Sequence, residues 1–162
     1  MADMADFKAE QREQWSTVAP GWRRRWAAIE RGAQPLSDRM MELAHVSPGQ
    51  RILDVATGIG EPAMTAARQV GPSGSVVAID QAPQMVALAR ERLQEAGIGN
   101  VEFVEGDAEA VSLPQSAFDA VVCRWGSCSS RIRWRHWRGY GAVSFREGGS
   151  PLPFGVHRTR CP

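Results

Sequence analysis

The chain has 162 residues and a mass of 17.7 kDa, which is enough for a single domain with one hydrophobic core. Apolar residues make up 43% and charged residues 23%, and no apolar run reaches membrane-spanning length, so collagen-like, coiled-coil and integral membrane proteins are excluded. Three cysteines do not form a disulfide scaffold, and the acidic first six residues lack the basic stretch of a secretion signal. We therefore expect a cytoplasmic protein.

Charge is distributed unevenly along the chain. The formal net charge is +1, yet residues 1–126 carry 12 basic and 17 acidic side chains. Residues 127–162 carry seven Arg, no Lys and one acid, Glu147. The sequence therefore divides into two segments of different composition after residue 126.

Residues 1–45 are predicted to form a helical N-terminal cap. Apolar side chains recur there at spacings of three, four and seven residues, which is the pattern of helices with one buried face. Because Pro20 and Gly21 interrupt the pattern, we predict separate helices over about 7–18 and 21–31. A third helix is predicted over about 35–45. The stripe of Trp15, Trp22 and Trp26 is interpreted as core rather than as a lid over a ligand.

Residues 46–126 alternate between strands and helices. Predicted strands cover 51–55, 75–79, 101–105 and 117–123, and predicted helices cover 61–70 and 83–96. Strands that are separated by helices run parallel and are joined by right-handed crossovers. The pattern predicts an α/β protein with an incomplete parallel sheet of about four strands.

Acidic residues and glycines follow the first three strands. Asp54 ends the first strand ahead of Gly58 and Gly60, Asp80 closes the second, and Asp107 follows the third. Ligands of open parallel sheets bind at the carboxyl ends of the strands, where glycine permits close approach and an acid can accept ribose hydroxyls. The three acids favour a nucleoside with a cationic part. The loop lacks the G-x-G-x-x-G pattern, which argues against a nucleotide-dependent oxidoreductase.

Four segments together resemble the class I S-adenosylmethionine-dependent methyltransferases, in particular the quinone-biosynthesis-like branch (methyltransferase types 11 and 25). These are LDVATGIG at 53–60, VAID at 77–80, GDA at 106–108 and FDAVV at 118–122. The resemblance covers about residues 46–126 in order and spacing. It implies a Rossmann-like fold, S-adenosylmethionine as cofactor, and methyl transfer to a small molecule such as a quinone precursor or another aromatic.

The resemblance also implies roles for individual residues. Asp54 and the loop backbone would hold the methionine part of the cofactor, Asp80 the ribose hydroxyls, and Asp107 the adenine amino group. Ala56 departs from the family's usual G-x-G-x-G loop. The full set expected to bind the cofactor is Asp54, Ala56, Thr57, Gly58, Gly60, Asp80, Gln81, Met85, Asp107, Ala108 and Arg124. Gln81 and Met85 would flank the adenine. The catalytic residue is unknown, because no general base is evident.

Residues 127–162 show neither a helical nor a strand period. Codons that are compatible with these residues, when read one base out of phase, can yield strings that resemble the family's next loop and helix and, over 146–155, its next turn and fifth strand. We therefore interpret the tail as aberrant, poorly structured and the product of a shifted reading frame. Phe118, Val121 and Val122 would then lie on an exposed sheet edge, and methyl transfer would be impaired.

An alternative function follows from the same tail. Its arginines, with Trp134, Trp137 and Tyr140, could stack on and neutralise nucleic acid, on a scaffold that is itself inactive. We favour a small-molecule acceptor over a nucleic-acid partner. The tail's cysteines and histidines match no zinc-binding spacing, so no metal site is expected.

Overall fold

The computed structural model describes residues 4–113, 117–125 and the backbone of 142–145. In chain order the elements are α1 (Met4–Ala44), β1 (Arg51–Val55), α2 (Ala63–Val70), β2 (Ser75–Asp80), α3 (Pro83–Glu95), β3 (Val101–Glu105), β4 (Ala120–Arg124) and β5 (Ala142–Phe145). No helix in this described part is both long and apolar enough to cross a membrane.

All the strands pair in parallel, in the order β3-β2-β1-β4-β5. Leu53 in the central strand β1 is in register with Val77 of β2 on one side and Val121 of β4 on the other. Strands β1 to β3 build the sheet in one direction and β4 and β5 in the other. The strand order therefore reverses between β1 and β4, where the carboxyl ends of the strands leave a crevice.

The sheet is buried on both faces. Ile52, Val76 and Val122 lie on the face that is covered by α2 and the C-terminal part of α1. Leu53 and Val121 point to the opposite face and pack with a cluster that contains Ala108, Phe118 and neighbouring side chains. This burial explains why consecutive residues are apolar, Ile52 and Leu53 in β1 and Ala120 to Cys123 in β4, where a half-exposed strand would alternate.

The sheet has one more strand than the four we expected. Strand β5 lies within 127–162, the segment predicted to be poorly structured, and its backbone pairs with β4 from Val121↔Ala142 to Arg124↔Phe145. The expectation of an exposed edge at β4 is therefore wrong. Phe118, Val121 and Val122 are at most 7% exposed. The remainder of 127–162 lies outside the described residues.

The N-terminal cap is one helix and not three. Helix α1 continues through Pro20 and Pro35, both of which are exposed. Buried or half-buried side chains recur along it at helical spacing on both sides of each proline: Trp15, Ala19, Trp22, Trp26, Ala33, Ser37 and Met40. Packing of this continuous stripe on the domain outweighs the hydrogen bond that each proline removes.

Pro20→Ala should stabilise the protein, because it restores a helical N–H and removes the ring clash at an exposed position. We expect the free energy of unfolding to rise by about 1–2 kcal/mol, which urea denaturation would measure. The control is Pro48→Ala, in the turn after α1, which should give no gain. An unchanged free energy of unfolding in Pro20→Ala would contradict a continuous α1 in solution.

Candidate functional site

A cavity of about 860 Å³, counting its open mouth, occupies the crevice where the strand order reverses. The loops after β1, β2, β3 and β4 form one side, and α1 forms the other. The lining residues are Trp15, Trp22, Trp26, Val55, Ala56, Thr57, Gly58, Ile59, Glu61, Ile79, Asp80, Gln81, Met85, Gly106, Asp107, Ala108, Arg124 and Trp125. Nine of the eleven expected cofactor residues are in this set, and the exceptions are Asp54 and Gly60.

The loop after β1 presents its backbone to the cavity. Ala56 and Gly58 both have φ of 58°, which is the left-handed region, and Ala56 holds it despite its side chain. A Cβ added to Gly58 would meet no heavy atom within 4 Å, so this residue borders open space. Gly60, at φ 102°, instead faces α3, where an added Cβ would lie 3.0 Å from the Leu93 side chain. Gly60 therefore allows the loop to pack closely on α3 and does not line the cavity.

Asp80 joins the loop after β1 to the end of β2. Its Oδ2 accepts a hydrogen bond from the Gly58 N–H at 2.8 Å, and its Oδ1 accepts one from the Ala82 N–H at 2.9 Å. Burial raises the pKa of Asp80, and these backbone donors partly oppose that shift. The carboxylate lines the cavity while it holds the loop in place.

Asp107 is held by α1 at the β3 side of the cavity. The Lys8 ammonium lies 2.6 Å from Asp107 Oδ2 and 2.6 Å from Glu109 Oε2. Partial burial opposes ionisation of Asp107, but Lys8 and the Glu109 N–H outweigh it and hold the pKa of Asp107 below its ordinary value. Ala108, also on the wall, packs into the cluster under the sheet.

Asp54 lies behind the cavity wall instead of on it. It is fully buried, and its Oδ2 accepts a hydrogen bond from the N–H of Ala63, the first residue of α2. Burial raises the pKa of Asp54 to about 8. The carboxylate is turned towards the start of the helix, where N–H groups need acceptors. The expected contact of Asp54 with a ligand stays a prediction.

A charged cluster that the sequence did not reveal lies between α1, α2 and β4. The Arg124 guanidinium contacts Glu30 Oε1 at 3.1 Å and donates to Ser37 Oγ at 2.8 Å, so Arg124 is tied to α1. Glu61, only 5% exposed, accepts a hydrogen bond from the Thr65 hydroxyl at 2.7 Å. An acid directly after the glycine loop was the one signal that could have drawn attention to Glu61.

Tryptophans form the apolar wall of the cavity. The ring centroids of Trp15 and Trp22 are 6.3 Å apart, and those of Trp22 and Trp125 are 5.9 Å apart. Trp26 stacks on the Arg92 guanidinium at 3.6 Å. The interpretation of the α1 tryptophans as core and not lid is therefore wrong in part, since they pack on neighbouring apolar side chains and also line the cavity.

Comparisons with known proteins agree with this geometry. A family model described as a methyltransferase domain matches residues 52–138. The ubiquinone/menaquinone biosynthesis C-methyltransferase UbiE of Ectopseudomonas oleovorans is 42% identical over 87 residues, which cover 53% of this chain and 51% of that protein. The chain thus spans about half of this relative, and 34% of a Pseudomonas putida counterpart.

Solved structures show the same fold. An RNA methyltransferase from Salinibacter ruber, in complex with S-adenosyl-L-homocysteine, is 30% identical with a TM-score of 0.57, and the match covers 68% of this chain and 73% of that one. A Haemonchus contortus phosphoethanolamine N-methyltransferase matches 99% of this chain and 38% of its own with a TM-score of 0.70. At 16% identity, the second likeness shows the fold alone.

Asp54→Asn should flatten the dependence of stability on pH. Because burial raises the folded-state pKa of Asp54 from 3.8 to about 8, the folded chain holds a proton between these values that the unfolded chain has released. Stability therefore falls as pH rises through this window. Asn keeps an oxygen for the Ala63 N–H and removes the titration, so the urea midpoint should fall less between pH 5 and pH 8.

Stability should still depend on pH to some extent in this variant, since the pKa values of Glu61 and Asp80 are raised as well. Asp38→Asn, at an exposed acid on α1, is the matched control and should retain the full slope. Equal slopes for Asp54→Asn and the unchanged protein would contradict the buried, protonated state of Asp54.

Proposed function

Because the chain belongs to the methyltransferase domain family, we propose that it binds S-adenosylmethionine in the cavity and transfers the methyl group to a small-molecule acceptor. The observation that carries the proposal is the position of Asp80. Its carboxylate lines the cavity at the reversal of strand order and fixes the Gly58 backbone beside it. A nucleoside bound there would lie next to the acid at the end of β2 and close to the backbone of the loop after β1.

The residues present fit this cofactor. Open space beside Gly58 leaves room for a ligand against the loop backbone, where a side chain would intrude. Asp80, Gln81 and Met85 line the cavity at the end of β2, and Asp107 and Ala108 line it at the end of β3. We assign the binding of the ribose to Asp80. Gln81 and Met85 would flank the adenine ring, and Asp107 and Ala108 would contact its edge.

The methionine part belongs on the β1 side in this proposal. Ala56, Thr57 and Gly58 border the cavity there, and Arg124 closes it from β4. Asp54 contributes by holding the start of α2, and Gly60 by letting the loop pack on α3. When bound, the cofactor supplies an electrophilic methyl group on a sulfonium. The chain's own part is to position the reactants and to exclude water with its tryptophans.

We further propose that the acceptor is a small planar aromatic, such as a quinone precursor. The wall formed by Trp15, Trp22 and Trp125 offers faces on which a flat ring can stack. The relatives named as ubiquinone/menaquinone biosynthesis C-methyltransferases support the same class. The cytoplasmic location stays a prediction.

Calorimetric titration with S-adenosylhomocysteine should show saturable, one-site binding. Asp80→Ala should weaken it at least about tenfold, because a hydrogen-bonded carboxylate contributes roughly 1.5–3 kcal/mol. Glu102→Gln removes a charge from an exposed position on β3 and is the matched control, with affinity unchanged. Unaltered affinity in Asp80→Ala would refute the ribose assignment. Absence of binding by the unchanged chain would refute the proposed function.

We also propose that turnover is impaired by the aberrant segment 127–162. That segment follows β4, where the acceptor side of the cavity begins, and its arginine-rich composition differs from the rest of the chain. Re-reading the coding DNA across codons 120–162 should reveal a single-base slip, and the corrected chain should transfer methyl groups faster. A confirmed reading frame with full activity would overturn this interpretation.

A further inference from the structure

Glu61 is a buried carboxylate that the cofactor assignments leave unused. It follows Gly60 directly, is only 5% exposed, and lines the cavity. The nucleoside end of the cavity is built from the ends of β2 and β3. Glu61 belongs to the other end, with the loop after β1, the end of β4 and the tryptophans of α1.

One oxygen of Glu61 is held and the other is available. The Thr65 hydroxyl donates to Oε2 at 2.7 Å, which fixes the carboxylate on the first turn of α2. Oε1 has no hydrogen-bond partner within the described part of the chain. Unlike the orphaned Oδ1 of Asp54, it is not among the fully enclosed polar atoms. An oriented carboxylate with one accessible oxygen can accept a proton from a bound molecule.

The two arginines near Glu61 form their contacts with other groups. From β4, Arg124 pairs with Glu30 of α1, and from α3, Arg92 donates to the Ile59 carbonyl and stacks on a tryptophan. Neither arginine forms a salt bridge with Glu61 among the described residues. Burial raises the pKa of Glu61, Thr65 and the arginines oppose the shift, and Glu30 adds to it. Asp54 lies near enough to interact with Glu61 electrostatically.

Trp125 lines this end of the cavity beside Trp22. It has φ of 66°, a strained conformation for a residue with a bulky side chain. Its indole Nε1 is buried and has no hydrogen-bond partner among the residues described. Because this N–H is enclosed by the protein, a bound ring would contact the apolar part of the indole that lines the cavity.

We propose that Glu61 is a catalytic residue that accepts the proton lost by the methyl acceptor. The proposal rests on the proposed function. As the acceptor atom bonds to the methyl carbon, the sulfur–methyl bond breaks and its electron pair stays on sulfur. The acceptor's proton passes to the Glu61 carboxylate. The products are the methylated acceptor, a neutral thioether and a protonated Glu61.

The test compares the unchanged chain with Glu61→Gln, which keeps an oxygen for Thr65 but cannot take the proton. The acceptor probe is 1,4-dihydroxynaphthalene without oxygen, with methyl-labelled S-adenosylmethionine, and product analysis identifies the methylated atom. Glu61→Asp tests partial rescue. Glu95→Gln, at an exposed acid that pairs with Arg23, is the matched control. S-adenosylhomocysteine binding is measured separately for each variant.

Glu61→Gln should lower kcat at least about 100-fold, the range of general base catalysis, with KM and S-adenosylhomocysteine affinity within about threefold of the unchanged chain. The unchanged chain should show kcat/KM rising with pH as Glu61 ionises, above the ordinary range of a glutamate. Glu61→Gln should lack this rise. Glu61→Asp should restore part of the rate, and Glu95→Gln should keep the rise.

Three results would overturn the assignment of Glu61. The first is a kcat and pH profile in Glu61→Gln that match those of the unchanged chain. The second is a loss confined to S-adenosylhomocysteine affinity, which would place Glu61 on the cofactor's ammonium instead. The third is an unchanged chain that binds S-adenosylhomocysteine but methylates no probe. Failure to bind S-adenosylhomocysteine at all would instead overturn the proposed function.

Discussion

The cavity depends on the two hydrogen bonds that the Asp80 carboxylate accepts from the N–H groups of Gly58 and Ala82. They connect the end of β2 to the loop after β1 and to the start of α3. Together with the hydrogen bond that the Thr57 N–H donates to the Ile79 carbonyl at 3.0 Å, they fix the position of the loop relative to β2. Because Asp80 also lines the cavity, the side chain that holds the loop is the one to which we assign the ribose.

Burial of acids sets the electrostatics around this loop. Asp54, Glu61 and Asp80 are each less than a tenth exposed, and burial raises the pKa of all three. A low-dielectric site that holds several carboxylates favours either protonation or a cation. A sulfonium ligand would supply that cation, and its attraction would grow as the acids ionise.

Much of this architecture could be predicted from the sequence. Strands β1 and β3 have the predicted bounds, and Asp80 and Asp107 reach the cavity, because apolar runs followed by an acid mark the carboxyl ends of parallel strands. Local patterns could not predict a continuous α1, since proline normally ends a helix and only tertiary packing outweighs it here. The contacts of Arg124 with Glu30 span 94 residues and have no local signature.

Helix α1 has to be continuous for the cavity to be closed. Lys8, near its start, reaches Asp107 beside β3, whereas Glu30, about six turns later, reaches Arg124 at the end of β4. The tryptophans between these two ion pairs face the loop after β1. A break at Pro20 would separate the two attachments and release the wall between them. The same helix therefore completes the hydrophobic core and encloses the cavity that Glu61 and Trp125 line.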